Sequence, residues 1–516
     1  MISVDSRTPL RRTSLFVSAL IWHSATFAQA FPAVIDLAVP EAAGLRFDCS
    51  AAADSCGRIV SDAGDLNDDG YGDLLVTAWR SSVVSSDAGA VNVVFGGSSL
   101  PSVITAASLN GTNGLRINGA QASDSLGGSI AGKGDINGDG IEDIAMGAYG
   151  APNGAGVGAV YVLFGSTSPF SSPMSVSTLN GQNGLRVTGS ASGTIGNAAS
   201  IGFSRNLIGS PVDDLVIGAR GLAVNQSGVY LMPGRTTAFA ASEPASSFEA
   251  VLGPVGRIYS TAATGDDFNG DMIHDFVVGA DSPSGRLNLV LGGAATYEIE
   301  GASGTGFSVV QTQASAGMGA WGSFALVPDM NGDGKAELAV AEPFWDGGDA
   351  FTQDIGKIHV IFGFANMPAG DFPLASLDGA SGFTVIGSFT GGAIGRTVGA
   401  ADVNGDFVSD LILGAPMSDD RGDNSGAAYV VFGRRDGAFP ASLNASALNG
   451  VNGFMIKSAA ANHFLGLGLS GLGDVNGDGL KDFAIGAQGA TPAGAFSGST
   501  YVIFGRETDL FSDGFE

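Results

Sequence analysis

Asp135-Ile-Asn-Gly-Asp-Gly-Ile-Glu-Asp143, followed at once by the apolar run Ile144-Ala-Met-Gly-Ala148, is the stretch on which the fold of this chain turns. Oxygen-bearing side chains stand at positions 1, 3, 5 and 9, a glycine stands at position 6, and the apolar run has the length and composition of a β-strand. The pattern Asp-x-Asn-x-Asp-x-x-x-Asp/Glu occurs six times, beginning at Asp65, Asp135, Asp267, Asp329, Asp402 and Asp474. A seventh stretch, Asn206 to Asp214 (NLIGSPVDD), keeps the place and loses most of the side chains. The first positions lie 61 to 73 residues apart, a period that means supersecondary units stacked on one another, none able to bury its apolar face alone.

Four oxygens at this spacing, with a backbone carbonyl expected at position 7, form the set that a hard cation such as calcium takes in a tight loop. The expected ligands are Asp65, Asn67, Asp69 and Asp73 in the first loop, and Asp135, Asn137, Asp139 and Asp143 in the second. They continue as Asp267, Asn269, Asp271 and Asp275, then Asp329, Asn331, Asp333 and Glu337. The last two sets are Asp402, Asn404, Asp406 and Asp410, and Asp474, Asn476, Asp478 and Asp482. Up to six calcium sites are expected, with the third repeat empty because Asn206, Ile208, Ser210 and Pro211 replace the ligands and the bending glycine. An EF-hand is excluded. It needs a bidentate Glu at position 12, where this chain has Val76, Met146, Val278, Val340, Leu413 and Ile485. The competing reading is a polar turn that binds nothing, since Asp, Asn and Gly favour turns anyway. At position 6, Met272 and Phe407 replace glycine, and a side chain there resists the left-handed conformation.

Outward from each loop the repeat has a constant order. A second run ends in Phe-Gly (VNVVFG at 91–96, VYVLFG at 160–165, YVVFG at 429–433, YVIFG at 501–505), and a turn and strand come next, as in LNGTNGLRING at 109–119. Four strands per repeat, seven repeats and no helical periodicity define an all-β chain, a seven-bladed β-propeller spanning 31–505. Gly44 to Asp48 (GLRFD) is a strand without a repeat of its own. Residues 31–48 are therefore expected to supply the closing strand of the last blade.

The Phe-Gly strand ends, Gly-Ala-Pro at 414–416 and the acidic nonapeptides resemble the FG-GAP repeats of the integrin α N-terminal propeller family. Such repeats are also found in the C-terminal part of glycosylphosphatidylinositol-specific phospholipase D and in many bacterial surface proteins. The resemblance implies a propeller with structural calcium loops that lie away from a ligand-binding face. It also implies that the phospholipase performs its catalysis in a separate domain with no counterpart in these residues.

The formal net charge of −27 makes a surface that repels phosphate backbones and argues against nucleic acid as a partner. Arg7, Arg11 and Arg12, an apolar stretch from Leu15 to Phe27 and Ala-Gln-Ala at 28–30 read as a signal peptide over residues 1–30. Nothing else is long and apolar enough to span a bilayer. The expected location is secreted or cell-surface, where calcium is abundant. Cys49 and Cys56 are expected to pair as a disulfide in that compartment, free buried thiols being the alternative. Residues 506–516 form a C-terminal tail.

No nucleophile stands beside a base in a known catalytic spacing, and no catalytic residue is assigned. The leading expectation is a non-catalytic adhesion or macromolecule-binding module whose partner is a protein or glycan surface ligand. The alternative is a carbohydrate-active lyase or hydrolase using the propeller's central face. Arg421-Gly422-Asp423 is read as a chance tripeptide, and Asn110, Asn225 and Asn444 head glycosylation sequons. Trp79, Trp321 and Trp345, with Tyr149 and Phe344, are read either as a binding patch or as inter-blade packing.

Overall fold

A computed structural model describes residues 31–39, 42–152, 154–189, 194–195, 201–223, 226–252, 259–280, 285–293, 297, 306–319, 323–347, 353–365 and 370–507. The expected signal peptide, Asn225, Trp321 and the tail beyond 507 lie outside them. Seven sheets succeed one another along the chain, each with the acidic stretch between its first and second strands.

The second blade shows the plan. Leu126–Gly134 is the inner strand, Asp143–Ala148 pairs antiparallel with it, Ala159–Leu163 is third, and Gly184–Thr188 lies outermost. Asp143–Ala148 and Ala159–Leu163 are buried at every residue. Both faces of each blade are covered, so these strands read as unbroken apolar runs rather than alternating ones. One apolar cluster joins Leu75, Val93 and Ile117 of the first blade to Ile144, Met146 and Tyr161 of the second. Blade against blade is thus the packing unit. Towards the axis the strands crowd together, and a Cβ at Gly132 would collide with the Asp62 carbonyl of the neighbouring inner strand.

The ends of the chain interlock. Leu45–Asp48 pairs antiparallel with Ser499–Ile503 and completes the seventh blade. Of residues 31–48 only this strand lies in the last blade. Val34–Asp36 instead adds in parallel to Gly453–Lys457 of the sixth, where Phe31 stacks on Phe454 with ring centroids 4.3 Å apart. Similar parallel segments extend other outer edges, Met174–Ser175 on the first blade, Ser242–Pro244 on the second and Val103–Thr105 on the seventh. They cover backbone groups that would otherwise be open to pairing with another chain. Cys49 and Cys56 form a disulfide between the closing strand and the first inner strand, Val60–Gly64.

Candidate metal centres

In the loop from Asp135 to Asp143 the chain wraps around its own first carboxylate. Asp135 Oδ1 accepts from the backbone N–H of Gly138 at 2.7 Å and of Asp139 at 3.1 Å, and Oδ2 accepts from Gly140 at 2.9 Å. Asn137 Oδ1 accepts from the Asp139 N–H at 2.8 Å, and Asp139 Oδ1 accepts from Ile141 at 2.9 Å. These bonds turn three side chains to one side of a loop that faces solvent. Each of the six loops repeats the bonds from positions 5 and 6 to the first carboxylate. Gly140 reaches its place with φ +89°, and Met272 and Phe407 adopt φ +69° and +70° to make the same bond. Their side chains therefore do not prevent the turn. They project into solvent, 89% and 79% exposed.

The ninth residue behaves differently. Asp73, Asp143, Asp214, Asp275, Glu337, Asp410 and Asp482 are fully buried. In the six acidic loops one oxygen accepts from the N–H of position 2, at 2.8 to 3.0 Å. In every repeat but the fifth, the other oxygen accepts from the glycine that ends the third strand, at 2.9 to 3.1 Å. The Phe-Gly ending, which the sequence offered only as a repeat marker, is thus half of a clamp. A Cβ at Gly165 would collide with the Glu142 carbonyl, which is why the donor is glycine.

The next backbone N–H ties the loops into a belt. Ser166 donates to Leu66 O at 2.9 Å, Arg235 to Ile136 O at 2.9 Å, Arg434 to Met330 O at 2.8 Å, and Gly97 to Val475 O at 2.8 Å. Every blade but the fifth thereby bonds to the loop of the one before it, across the join between seventh and first, and the fifth is joined through Ala336 N–H to Asp267 O at 2.9 Å.

Burial pushes the ninth carboxyl up in every loop, and the charges at positions 1 and 5 push it further in the acidic ones. Asp143 reaches about 8, Asp275 and Asp482 about 7 and Glu337 about 9, despite backbone hydrogen bonds that pull the other way. Three carboxylates so placed hold their charge together only beside a counter-ion. Oxygens of Asp329, Asp333 and Glu337 lie within 4.8 Å of one another, and Glu337 Oε1 is buried without a hydrogen-bond partner. This donor set fits a hard divalent cation.

The remaining candidates fall elsewhere. Arg421 is paired with Asp36 and Asp420 with Lys457 at 2.9 Å, so the Arg-Gly-Asp stretch is tied to the blade edge. Trp79 and Trp345 are half-buried, with Arg58 4.6 Å above the first ring and Lys357 4.5 Å above the second. Asn110 and Asn444 are exposed. His359 is buried 3.0 Å from Thr384 Oγ1, where burial and Lys357 push it down to about 3. Along the axis a cleft of about 930 Å³ brings Lys133, Arg205 and His274 beside Glu142, Asp213 and Asp266. Lys133 lies 3.5 Å from Asp62, Arg205 3.8 Å from Asp213 and His274 3.9 Å from Asp266, so acids and bases face one another in pairs.

The family described as FG-GAP repeat matches residues 127–163, 320–361, 394–431 and 468–503, each match running from an inner strand to a Phe-Gly strand. FG-GAP repeats stand at these four places in the chain. Integrin alpha pat-2 of Caenorhabditis elegans is 35% identical over 244 residues, covering 44% of this chain and 18% of the integrin. Integrin alpha-V of Gallus gallus is 29% identical over 238 residues, 46% of this chain and 20% of the other. Phosphatidylinositol-glycan-specific phospholipase D of Dictyostelium discoideum is 27% identical over 194 residues, 34% and 20% respectively. This FG-GAP chain spans about a fifth of the length of those relatives. A solved structure, BBS1N in complex with ARL6DN, overlays with a TM-score of 0.40 and 11% identity over 89% of this chain and 93% of that chain. The fold is read from the blades themselves. Among the described residues no helix is long and apolar enough to cross a membrane.

Proposed function

We propose that this FG-GAP propeller is an exported, calcium-binding module that holds a protein or glycan partner and catalyses nothing. The observation that carries the reading is the set of acidic loops whose buried ninth carboxylate stands against two further acids. Calcium held by positions 1, 3, 5 and 9 would act as a cross-link between the first and second strands, neutralising charge that otherwise opposes burial. Export suits this chemistry, since calcium outside the cell fills weak sites. Scanning calorimetry of the full chain checks it. At a hundredfold excess over Kd each site should add about 2.7 kcal/mol, so the melting temperature should rise steeply from chelator to calcium. An unchanged melting curve would falsify the calcium reading. Capture on cell-surface protein and glycan arrays tests the binding role.

A second reading is supported by the axial cleft, where Lys133, Arg205 and His274 meet six acids. It makes the FG-GAP propeller a polysaccharide lyase or hydrolase. Turnover of acidic or neutral polysaccharide that is lost in His274→Gln and Glu142→Gln, at unchanged melting temperature, would establish it over the first.

A further inference from the structure

At the end of the inner strands opposite the acidic loops, the residues leading into those strands carry side chains of another kind. Arg58 precedes Val60–Gly64 of the first blade and Arg396 precedes Thr397–Ala401 of the sixth. Trp79 and Tyr149 come just after the second strands of blades one and two, Asp73–Ala78 and Asp143–Ala148, and so reach the same end. All four are half-buried. The Arg58 guanidinium lies over the Trp79 ring at 4.6 Å, with Arg80 over the same ring at 5.6 Å. Arg58 forms no ion pair with any described carboxylate, although acids outnumber bases 50 to 23 in the chain. Its charge lies close enough to Arg396 to push that guanidinium down to about 10, on top of the larger effect of burial. Trp79 Nε1 is buried with no hydrogen-bond partner among the described residues.

We propose that this end of the propeller axis is a binding site for an acidic sugar, its carboxylate received by Arg58 with Arg396 in electrostatic reach and a hydroxyl or ring oxygen accepting from the Trp79 N–H. The proposal rests on the binding-module reading and names the chemistry of its ligand. One face of the Arg58 guanidinium is taken by the indole, which leaves its edge, and that edge matches the two oxygens of a carboxylate. A guanidinium half-removed from water, with a second one in electrostatic reach, is stabilised by an anion at its edge. The single neutral N–H suits a sugar oxygen, and Tyr149 adds an aromatic wall for a ring. An overall charge of −27 repels long polyanions from the surface, which favours one carboxylate inserted at a local basic spot.

The test is calorimetric titration of the calcium-loaded full chain with glucuronate, with glucose, and with a hexaglutamate peptide. Glucuronate should bind, glucose should not, and tryptophan emission should change on binding. Arg58→Gln should weaken glucuronate by about tenfold or more, the loss of one charge-assisted pair. Arg396→Gln should weaken it in the same direction, and Trp79→Phe should remove the emission change. Should Arg58→Gln fail to fold, Arg396→Gln and Trp79→Phe carry the comparison. Equal binding of glucuronate and glucose, an unaltered affinity in the arginine variants, or arginine-dependent binding of hexaglutamate alone overturns the site. If Arg58→Gln still captures the array partner, the binding-module reading stands and only this site is lost.

Discussion

The loops of the second and third blades, Asp135–Asp143 and Asn206–Asp214, share a buried ninth carboxylate and differ in nearly everything before it. Asp143 accepts from Ile136 and Gly165, both at 2.9 Å, and Asp214 accepts from Ile208 and Gly234, both at 3.1 Å. Where the second loop has Asp139 facing solvent, the third has Ser210, whose hydroxyl donates within reach of Val212 O at 2.9 Å and Gly234 O at 3.0 Å. The third loop closes on itself through neutral bonds. The second leaves acids facing one another. The ninth acid is therefore a brace between strands first, and the proposed cation would add to it the three oxygen-bearing side chains at positions 1, 3 and 5.

The largest expected effect tests the shared brace. Asp143→Ala and Asp214→Ala each leave two buried backbone N–H groups unpaired, at about 1 to 3 kcal/mol apiece. Denaturant unfolding in chelator should show both variants destabilised by similar amounts. A loss confined to Asp143→Ala would mean that the third loop has found another closure.

In chelator the ninth carboxyls, raised to about 7 to 9, lose their stabilising contribution as pH rises through that range, whereas His359 acts in the opposite sense. Its folded pKa, about 3, lies below the unfolded value, so its favourable contribution is complete above about 6.5 and is lost as pH falls towards 3. Between pH 6.5 and 5 the loss approaches about 1.4 kcal/mol per pH unit. His359→Gln should lower the slope of the stability profile there by about that amount, and an unchanged slope would assign it to other groups.

A smaller effect separates the loops by their dependence on calcium. Asp139→Ala should reduce the rise in melting temperature that calcium produces. Ser210→Ala should cost about 1 kcal/mol, equally in calcium and in chelator. Seen only in sequence, Ser210 is a ligand lost from an empty loop and its removal is expected to be harmless. The structure gives the hydroxyl two acceptors.

The smallest change concerns position 6. Phe407 is held at φ +70° and Met272 at φ +69°, both exposed, and the left-handed region costs a non-glycine residue about 1 to 2 kcal/mol. Glycine returns part of that gain through its greater unfolded freedom, about 0.5 to 1 kcal/mol. Phe407→Gly and Met272→Gly should therefore stabilise by about half a kcal/mol or a little more. Chemical unfolding of both against Gly140→Ala, which should move the other way, gives the sign.

Much of this architecture was legible because a repeat states its information several times over. Asp135 to Asp143 and its copies announce strand, turn and strand, and the apolar twelfth position removes the helix that an EF-hand would place there. The bond from Gly165 to Asp143 was not legible, because 22 residues separate partners that only the folding of a third strand brings together. The placement of Val34–Asp36 on the sixth blade was equally hidden, since three residues of an edge strand carry no pattern of their own.

The amino-acid order by itself determined what is local. It set the periodicity, the strands, the turns and the oxygen atoms offered at each loop, all consequences of spacing along one stretch of chain. Only the tertiary structure decided which groups lose their water together. Seven ninth carboxylates become buried braces, the loops join into one belt, and Arg58 comes to lie over Trp79, within electrostatic reach of Arg396, at the end of the inner strands away from the loops. Ring closure forces these neighbours together, because residues far apart in sequence share an axis only once the last blade has bonded to the first strand.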